Sequence, residues 1–339
     1  MIFGALRGNG LFENIIFNAE HVGNRDNCFA PYILLREQLL KHSFQLDTID
    51  KASPSNLTFE IHQDVQHNSK CTTNYLLMFE SRLVKPENND PNEWAQYKKI
   101  FTWDDELVDS DHDDRFVKIN LPNPIQSYAV DGFSKRDRFC CLISANKTLP
   151  VKDHRDLYLE RVIAIRWFEK HASSDFDLYG IDWNIPVVHR NLIGKLERRF
   201  WRLIYRFISL RPFPSYRGKV ANKSEVLTRT RFAICYENVR DLPGYITEKI
   251  FDCFFSGCVP VYWGADNITK FIPADCFIDR RHFSDTAAVY TFLKTITDQE
   301  FRGYQQRIAA FLESDAAYLF SSEYFAETIV DTIVNDLGA

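Results

Sequence analysis

At 339 residues and 45% hydrophobic content the chain is long enough to bury sizeable cores, and its length favours two domains over one. A formal net charge of −5 gives no general attraction for nucleic acid, which disfavours that partner class. The eight cysteines lie singly or as the pair Cys140-Cys141, mostly inside apolar runs and with no CxxC, so they read as reduced, buried thiols and not as a disulfide framework.

Along the chain, Pro31 opens a helical pattern through Ile33, Leu34, Leu39 and Leu40, which ends in a strand-like Phe44–Thr48. Leu57, Phe59 and Ile61 alternate with polar residues, and residues 75–79 and 100–103 are continuous apolar runs. Helices and strands therefore alternate, and a doubly wound α/β domain over residues 1–137 is predicted. A second domain, 138–339, begins at the strand 139–144 and repeats the alternation to a terminal helix with an apolar stripe at Phe325, Ile329, Val330 and Ile333. No stretch of 18 apolar residues occurs and no leader-like segment opens the chain, so a cytoplasmic protein is expected.

Residues 190–211 stand apart. Leu192, Ile193, Leu196, Phe200, Leu203, Ile204, Phe207 and Ile208 form an apolar helical stripe surrounded by Arg190, Lys195, Arg198, Arg199, Arg202, Arg206 and Arg211. Such a helix either packs on the second domain or lies in an anionic membrane surface, here the inner membrane, near a lipid-linked substrate.

Residues 231–283 carry the strongest signal. An apolar strand at 232–235 runs into Tyr236-Glu237-Asn238, Pro243-Gly244 punctuates the loop, and a helical pattern follows. Ile246, Ile250, Phe251 and Phe254 fall on one side of that helix, with Tyr245, Glu248, Lys249 and Asp252 on the other. Gly257 ends it, and residues 258–263 form a second buried strand. In a strand, loop and helix unit of this kind the positive end of the helix attracts phosphate.

The triplet Tyr236-Glu237-Asn238 followed by Tyr245-Ile246-Thr247-Glu248-Lys249 resembles the hallmark motif of the α1,3/α1,4-fucosyltransferases, glycosyltransferase family 10. The similarity continues through Tyr216-Arg217-Gly218, Lys223-Ser224-Glu225, Val259-Pro260-Val261 and Ile272-Pro273-Ala274-Asp275, and fades toward the N-terminus. The wording CYEN and VYWG is closest to bacterial members. The resemblance implies a GT-B architecture, two doubly wound Rossmann-like domains facing across a cleft, with the first binding a glycan acceptor and the second GDP-fucose. It also implies transfer of L-fucose to a hydroxyl of an N-acetylglucosamine-containing glycan, in α1,3 or α1,4 linkage, with inversion and no covalent intermediate. Surface polysaccharide or lipopolysaccharide biosynthesis is the expected setting.

Such a transfer needs a proton acceptor, positive charge for the departing diphosphate, and contacts that position the sugar. Lys249 and Arg161 are the candidate cations; Arg161 matches the family's phosphate-contacting arginine, with Arg166 as the competing assignment. Ser144 and Asn146, after the strand 139–144, match donor-contacting positions less closely, because this chain has Ser-Ala-Asn where relatives have Ser-Asn. Asn238 and Glu248 match nucleotide- and fucose-contacting residues, and Tyr245 is expected to pack on the donor. Glu237 either serves likewise or fixes the loop backbone. Glu80, ending the run YLLMF at the carboxyl end of a first-domain strand, is the candidate base. No cofactor or metal is expected, although Asp104-Asp105-Glu106 and Asp111-His112-Asp113-Asp114 hold carboxylates able to bind a cation. The rival readings are a transferase of another nucleotide sugar and a catalytically silent glycan-binding protein; Glu80, Arg161, Glu248 and Lys249 together argue against the latter.

Overall fold

The computed structural model describes residues 1–53, 55–188, 192–207 and 211–338. The chain divides into two compact units, the first built from residues 1–125, 243–245 and 315–339 and the second from 126–242 and 246–314.

The first unit holds six parallel strands, β1 Ile2–Arg7, β2 Phe44–Thr48, β3 Leu57–Gln63, β4 Thr73–Met78, β5 Lys99–Thr102 and β6 Phe116–Lys118, in the order β2-β1-β3-β4-β5-β6. Alternation sends Leu6, Phe59, Ile61, Tyr75, Leu77 and Phe101 to one face, where they meet the helices α1 (Ala30–Lys41) and Ser322–Leu337. The other face holds Leu76, Met78 and Ile100, and also Glu60 and His62, both wholly buried. Those two polar groups survive burial because they are paired. Glu60 accepts from Arg7 at 2.7 Å and from the Lys70 N–H at 2.7 Å, and His62 links Glu60, at 2.9 Å, to the Tyr97 hydroxyl, at 3.0 Å. The short helices α2 (Pro91–Trp94) and α3 (Asp105–Asp109) complete the strand connections.

The second unit has six parallel strands in the order β12-β11-β10-β7-β8-β9. These are β7 Arg138–Ile143, β8 Phe176–Tyr179, β9 Tyr216–Gly218, β10 Thr230–Tyr236, β11 Val259–Trp263 and β12 Ile278–Asp279. Its helices are α4 (Leu157–His171), α5 (Leu192–Phe207), α6 (Ser224–Leu227), α7 (Glu248–Phe255), α8 (Thr286–Thr295) and α9 (Asp298–Leu312). Cys140, Leu142, Phe232, Ile234, Val259 and Val261 form the sheet side of a core that Ile165 and Phe168 of α4, Val289 and Leu293 of α8 and Phe301 of α9 close. The strand order reverses between β7 and β10, the doubly wound arrangement whose switch point takes ligands beyond the strands' carboxyl ends.

Two sequence expectations are corrected. The boundary after residue 137 falls instead after residue 125, and the terminal helices α10 (Asp315–Tyr318) and α11 (Ser322–Leu337) belong to the first unit. Phe325, Ala326, Ile329, Val330 and Ile333 pack on the first sheet; an apolar stripe declares that a helix is buried but not on which sheet. Of the cysteines, Cys28 is exposed and Cys71 half-buried, while the other six are buried as expected.

Candidate functional site

At the switch point of the second unit, the loop after β7 carries Ser144 and Asn146 and the loop after β10 carries Glu237 and Asn238. Asn146 donates through Nδ2 to the carbonyls of Asp182, Ile185 and Pro186 at 3.0–3.3 Å, which ties its loop to the segment after β8. Its Oδ1 and the Ser144 Oγ are buried with no hydrogen-bond partner among the described residues. A buried oxygen without a partner is a position that the donor of a ligand or of a water would satisfy.

Arg161 sits in the second turn of α4 and is 3% exposed. Its guanidinium donates to the Tyr236 carbonyl, at 2.6 Å through Nη2 and 3.2 Å through Nε, and to Asn238 Oδ1 at 3.2 Å. The α4 N-terminus meets the same loop: Leu157 N–H donates to the Asn238 carbonyl at 3.2 Å, and Asp156 caps Tyr158 at 2.8 Å. Arg166 is directed elsewhere, to Glu169 and the Pro212 carbonyl with its guanidinium over Phe213. The two arginines that the sequence leaves in competition thus have different partners.

The α7 N-terminus is built by Glu237. Wholly buried, it accepts from the Thr247 N–H and hydroxyl, each at 2.8 Å, and lies 3.2 Å from the Lys249 ammonium. Thr247, in extended backbone, is the N-cap of α7. Lys249 Nζ also donates to Thr247 Oγ1 at 2.9 Å. Burial works against the Lys249 charge, but Glu237 and then Glu248 outweigh it and hold its pKa above lysine's ordinary value. Glu248, half exposed, feels an opposing burial cost too, yet Lys249 and Lys223 pull it down to about 2. Lys223 continues the network, 2.6 Å from Asp252 and 3.7 Å from Glu248. At the far end of the helix, Cys258 N–H donates to the Cys253 carbonyl and Gly257 N–H to that of Phe254, a Schellman closure with Gly257 at φ 61°.

One sequence reading is narrowed here and one is corrected. Glu237 holds backbone and ammonium in place, the second of its two expected roles. Tyr245 lies outside α7, which begins only at Glu248, and belongs to the first unit, where it is 2% exposed and packs on Trp103 with ring centroids 4.7 Å apart. Gly244 explains why the chain turns there: its φ is 83°, and a Cβ would stand 2.1 Å from the Trp103 carbonyl. The apolar spacing in sequence carries the helical period across Thr247, whose residue type as an N-cap is the available signal, and no spacing singles out Lys223.

In the first unit Glu80 follows β4 by two residues and its backbone is clamped. Asp64 Oδ1 accepts from the Phe79 and Glu80 N–H groups, both at 2.9 Å, and Asn88 Nδ2 donates to the Glu80 carbonyl at 2.8 Å. Trp103 Nε1 holds the Phe79 carbonyl at 3.0 Å. Neither Asp64 nor Asn88 has a sequence pattern that announces this work. The acidic stretches considered for metal are occupied with folding: Asp104 caps α3, Asp105 pairs with Lys118, Glu106 with Arg82, and Asp111 accepts from two backbone N–H groups. Among the described residues no cluster of three metal-ligating side chains occurs.

Chemically, the second unit's switch point offers two helix N-termini, two positioned cations and two unsatisfied oxygens, a set that suits a phosphorylated ligand. Residues 210–308 match the sequence profile of glycosyltransferase family 10 (fucosyltransferase), C-terminal part. The chain is 35% identical over 75 residues to an α-(1,3)-fucosyltransferase of Helicobacter pylori, a match covering 22% of this chain and 16% of that one. An α-(1,4)-fucosyltransferase of Arabidopsis thaliana is 32% identical over 72 residues, 21% of this chain and 18% of the relative. Both matches cover under a fifth of the relative's length. Similarity of fold is far broader: a crystal structure of an α1,3-fucosyltransferase superposes with a TM-score of 0.55 over 98% of this chain and 90% of that one, at 14% identity. An Anabaena protein solved with UDP and glucose gives 0.57 at 8% identity, over 99% of this chain and all of the other. The shared architecture is GT-B.

Proposed function

We propose that this chain, which belongs to glycosyltransferase family 10 through residues 210–308, transfers L-fucose from GDP-fucose to a hydroxyl of an N-acetylglucosamine-containing glycan. The observation that carries this reading is that Arg161 and Lys249 are both anchored on the loop that follows β10, Arg161 on the Tyr236 carbonyl and Lys249 on Glu237, before any ligand arrives. Preorganised cations of this kind stabilise charge that develops on a leaving diphosphate without reorganising during the reaction. The Ser144 and Asn146 oxygens and the Asn238 side chain are assigned to the donor's hydroxyl and N–H groups, and the half-exposed Glu248 carboxylate to fucose hydroxyls. A related fold has been solved with GDP-fucose, which supports the choice of donor.

Glu80 is assigned as the base that takes the acceptor's proton, in a direct displacement with inversion at fucose C1. The linkage is α1,3 or α1,4, the product a surface glycan or lipopolysaccharide, and the two cations supply the charge that a metal would otherwise bring. Incubating the full chain, with and without a chelator, with a panel of sugar nucleotides and a glycan array tests the reading. A chelator-insensitive product fucosylated from GDP-fucose alone is expected. Transfer of another sugar, or glycan binding with no transfer, would replace the reading with one of its rivals.

A further inference from the structure

Helix α5 is rolled the opposite way from an ordinary amphipathic surface helix. Asp182, in the turn after β8, accepts from Arg198 at 2.7 Å and from Arg202 at 2.8 Å. The Asp182 carbonyl is in turn fixed by Asn146, so the anchor is rigid. With about 100° per residue, Arg198 and Arg202 share their side of the helix with Gly194, which is buried, and with Trp201 and Tyr205, which are half-buried. Leu196, Phe200 and Leu203 point the other way and are 66%, 55% and 59% exposed. Residues 190, 191 and 208–210 of the expected basic segment lie outside the described residues.

Three large apolar side chains at i, i+4 and i+7 turned to water form a stripe that something of matching chemistry covers. The charge around it selects the occupant. In sequence the helix carries Lys195, Arg198, Arg199, Arg202 and Arg206 against Glu197 alone, within a chain whose net charge is −5. A second copy would bring one basic stripe against another. An anionic lipid surface offers acyl chains to Leu196, Phe200 and Leu203 and phosphates to Arg199, which is exposed beside them. We infer that α5 lies in the plane of an anionic lipid surface, with Asp182 as the clasp that turns its apolar stripe outward. This inference stands independently of the transferase reading.

The test is sedimentation of the full chain with vesicles of phosphatidylcholine alone or mixed with phosphatidylglycerol, using the wild type and the triple variant Leu196→Ser, Phe200→Ser, Leu203→Ser. The wild type is expected to partition onto the mixed vesicles, less so as salt is raised, and the variant at least about tenfold more weakly, with an unchanged circular dichroism spectrum. Absence of wild-type partitioning at low salt overturns the inference, as does a variant that binds equally well. A wild-type dimer that the triple variant turns into a monomer, with no vesicle binding, would assign the stripe to a second copy instead.

Discussion

Glu80 and Glu237 show how the same side chain takes different work from its surroundings. Glu80 has its backbone fixed by Asp64 and Asn88, so a base at this position would be aimed by the fold. Glu80→Gln is expected to lower transfer by about 100-fold or more while GDP affinity in a calorimetric titration stays within about twofold; retained transfer would dismiss the assignment. Glu237 spends both oxygens on Thr247 and Lys249. Glu237→Gln therefore leaves the Lys249 ammonium without its nearest carboxylate, and a loss of about 2 kcal/mol in urea unfolding is expected with no ligand present. A residue that acted only by touching a donor would leave that unfolding curve unmoved.

At the scale of elements, the buried pair of Glu60 and His62 on β3 is expected to make the first sheet sensitive to acid. Burial pushes the Glu60 pKa up, but His62 and Arg7 overcome that and bring it to about 2, from an ordinary value of 4.5. A carboxylate whose folded pKa is depressed stabilises the fold above its unfolded pKa and loses that contribution as pH falls toward the folded value. On the order of 3 kcal/mol is at stake. The protection factors of β1 and β3 amides, exchange rates taken relative to an unstructured chain at the same pH, are expected to fall between pH 4.5 and 2 in the wild type and to change little in Glu60→Gln; identical profiles would assign the acid sensitivity elsewhere. Most of these elements were legible in sequence. Phe44–Thr48 is β2 as expected, and the runs at 75–79, 100–103, 139–144 and 258–263 fall on β4, β5, β7 and β11 within one or two residues. The strands β6, β9 and β12, of two or three residues, are not, because so short a stretch has no period to detect; β1 and β8, of six and four residues, are not read from the sequence either. The start of α7 was misjudged because Tyr245 and Ile246 continue a helical apolar spacing that Thr247 interrupts by its backbone alone. That Arg161 reaches the Tyr236 carbonyl while Arg166 reaches that of Pro212 depends on where β10 passes α4, which no local pattern states.

For the molecule as a whole, the return of the chain to its first unit has consequences that a linear division hides. Phe325, Ile329, Val330 and Ile333 of α11 are at most 2% exposed, and each buried side chain of this size contributes about 1.5–3 kcal/mol. Their sum rivals the whole stability of a typical domain, about 5–15 kcal/mol. Deleting residues 315–339 is therefore expected to unfold the first unit, read as rapid proteolysis within residues 1–125, while a protease-resistant second unit survives; a resistant first unit would mean that α11 is an accessory. Among the described residues no helix is long and apolar enough to cross a membrane.

The second unit carries the central claim, that its β7–β10 switch point receives a nucleoside diphosphate through Arg161, Lys249 and two helix N-termini. Calorimetric titration of GDP into the full chain, the wild type beside Lys249→Ala, addresses it most directly. Saturable one-to-one binding is expected for the wild type, weakened at least about 100-fold in the variant, since a hydrogen-bonded charge contact to phosphate is lost. Equal affinity in both proteins, or no saturable binding of GDP by the wild type, would contradict it.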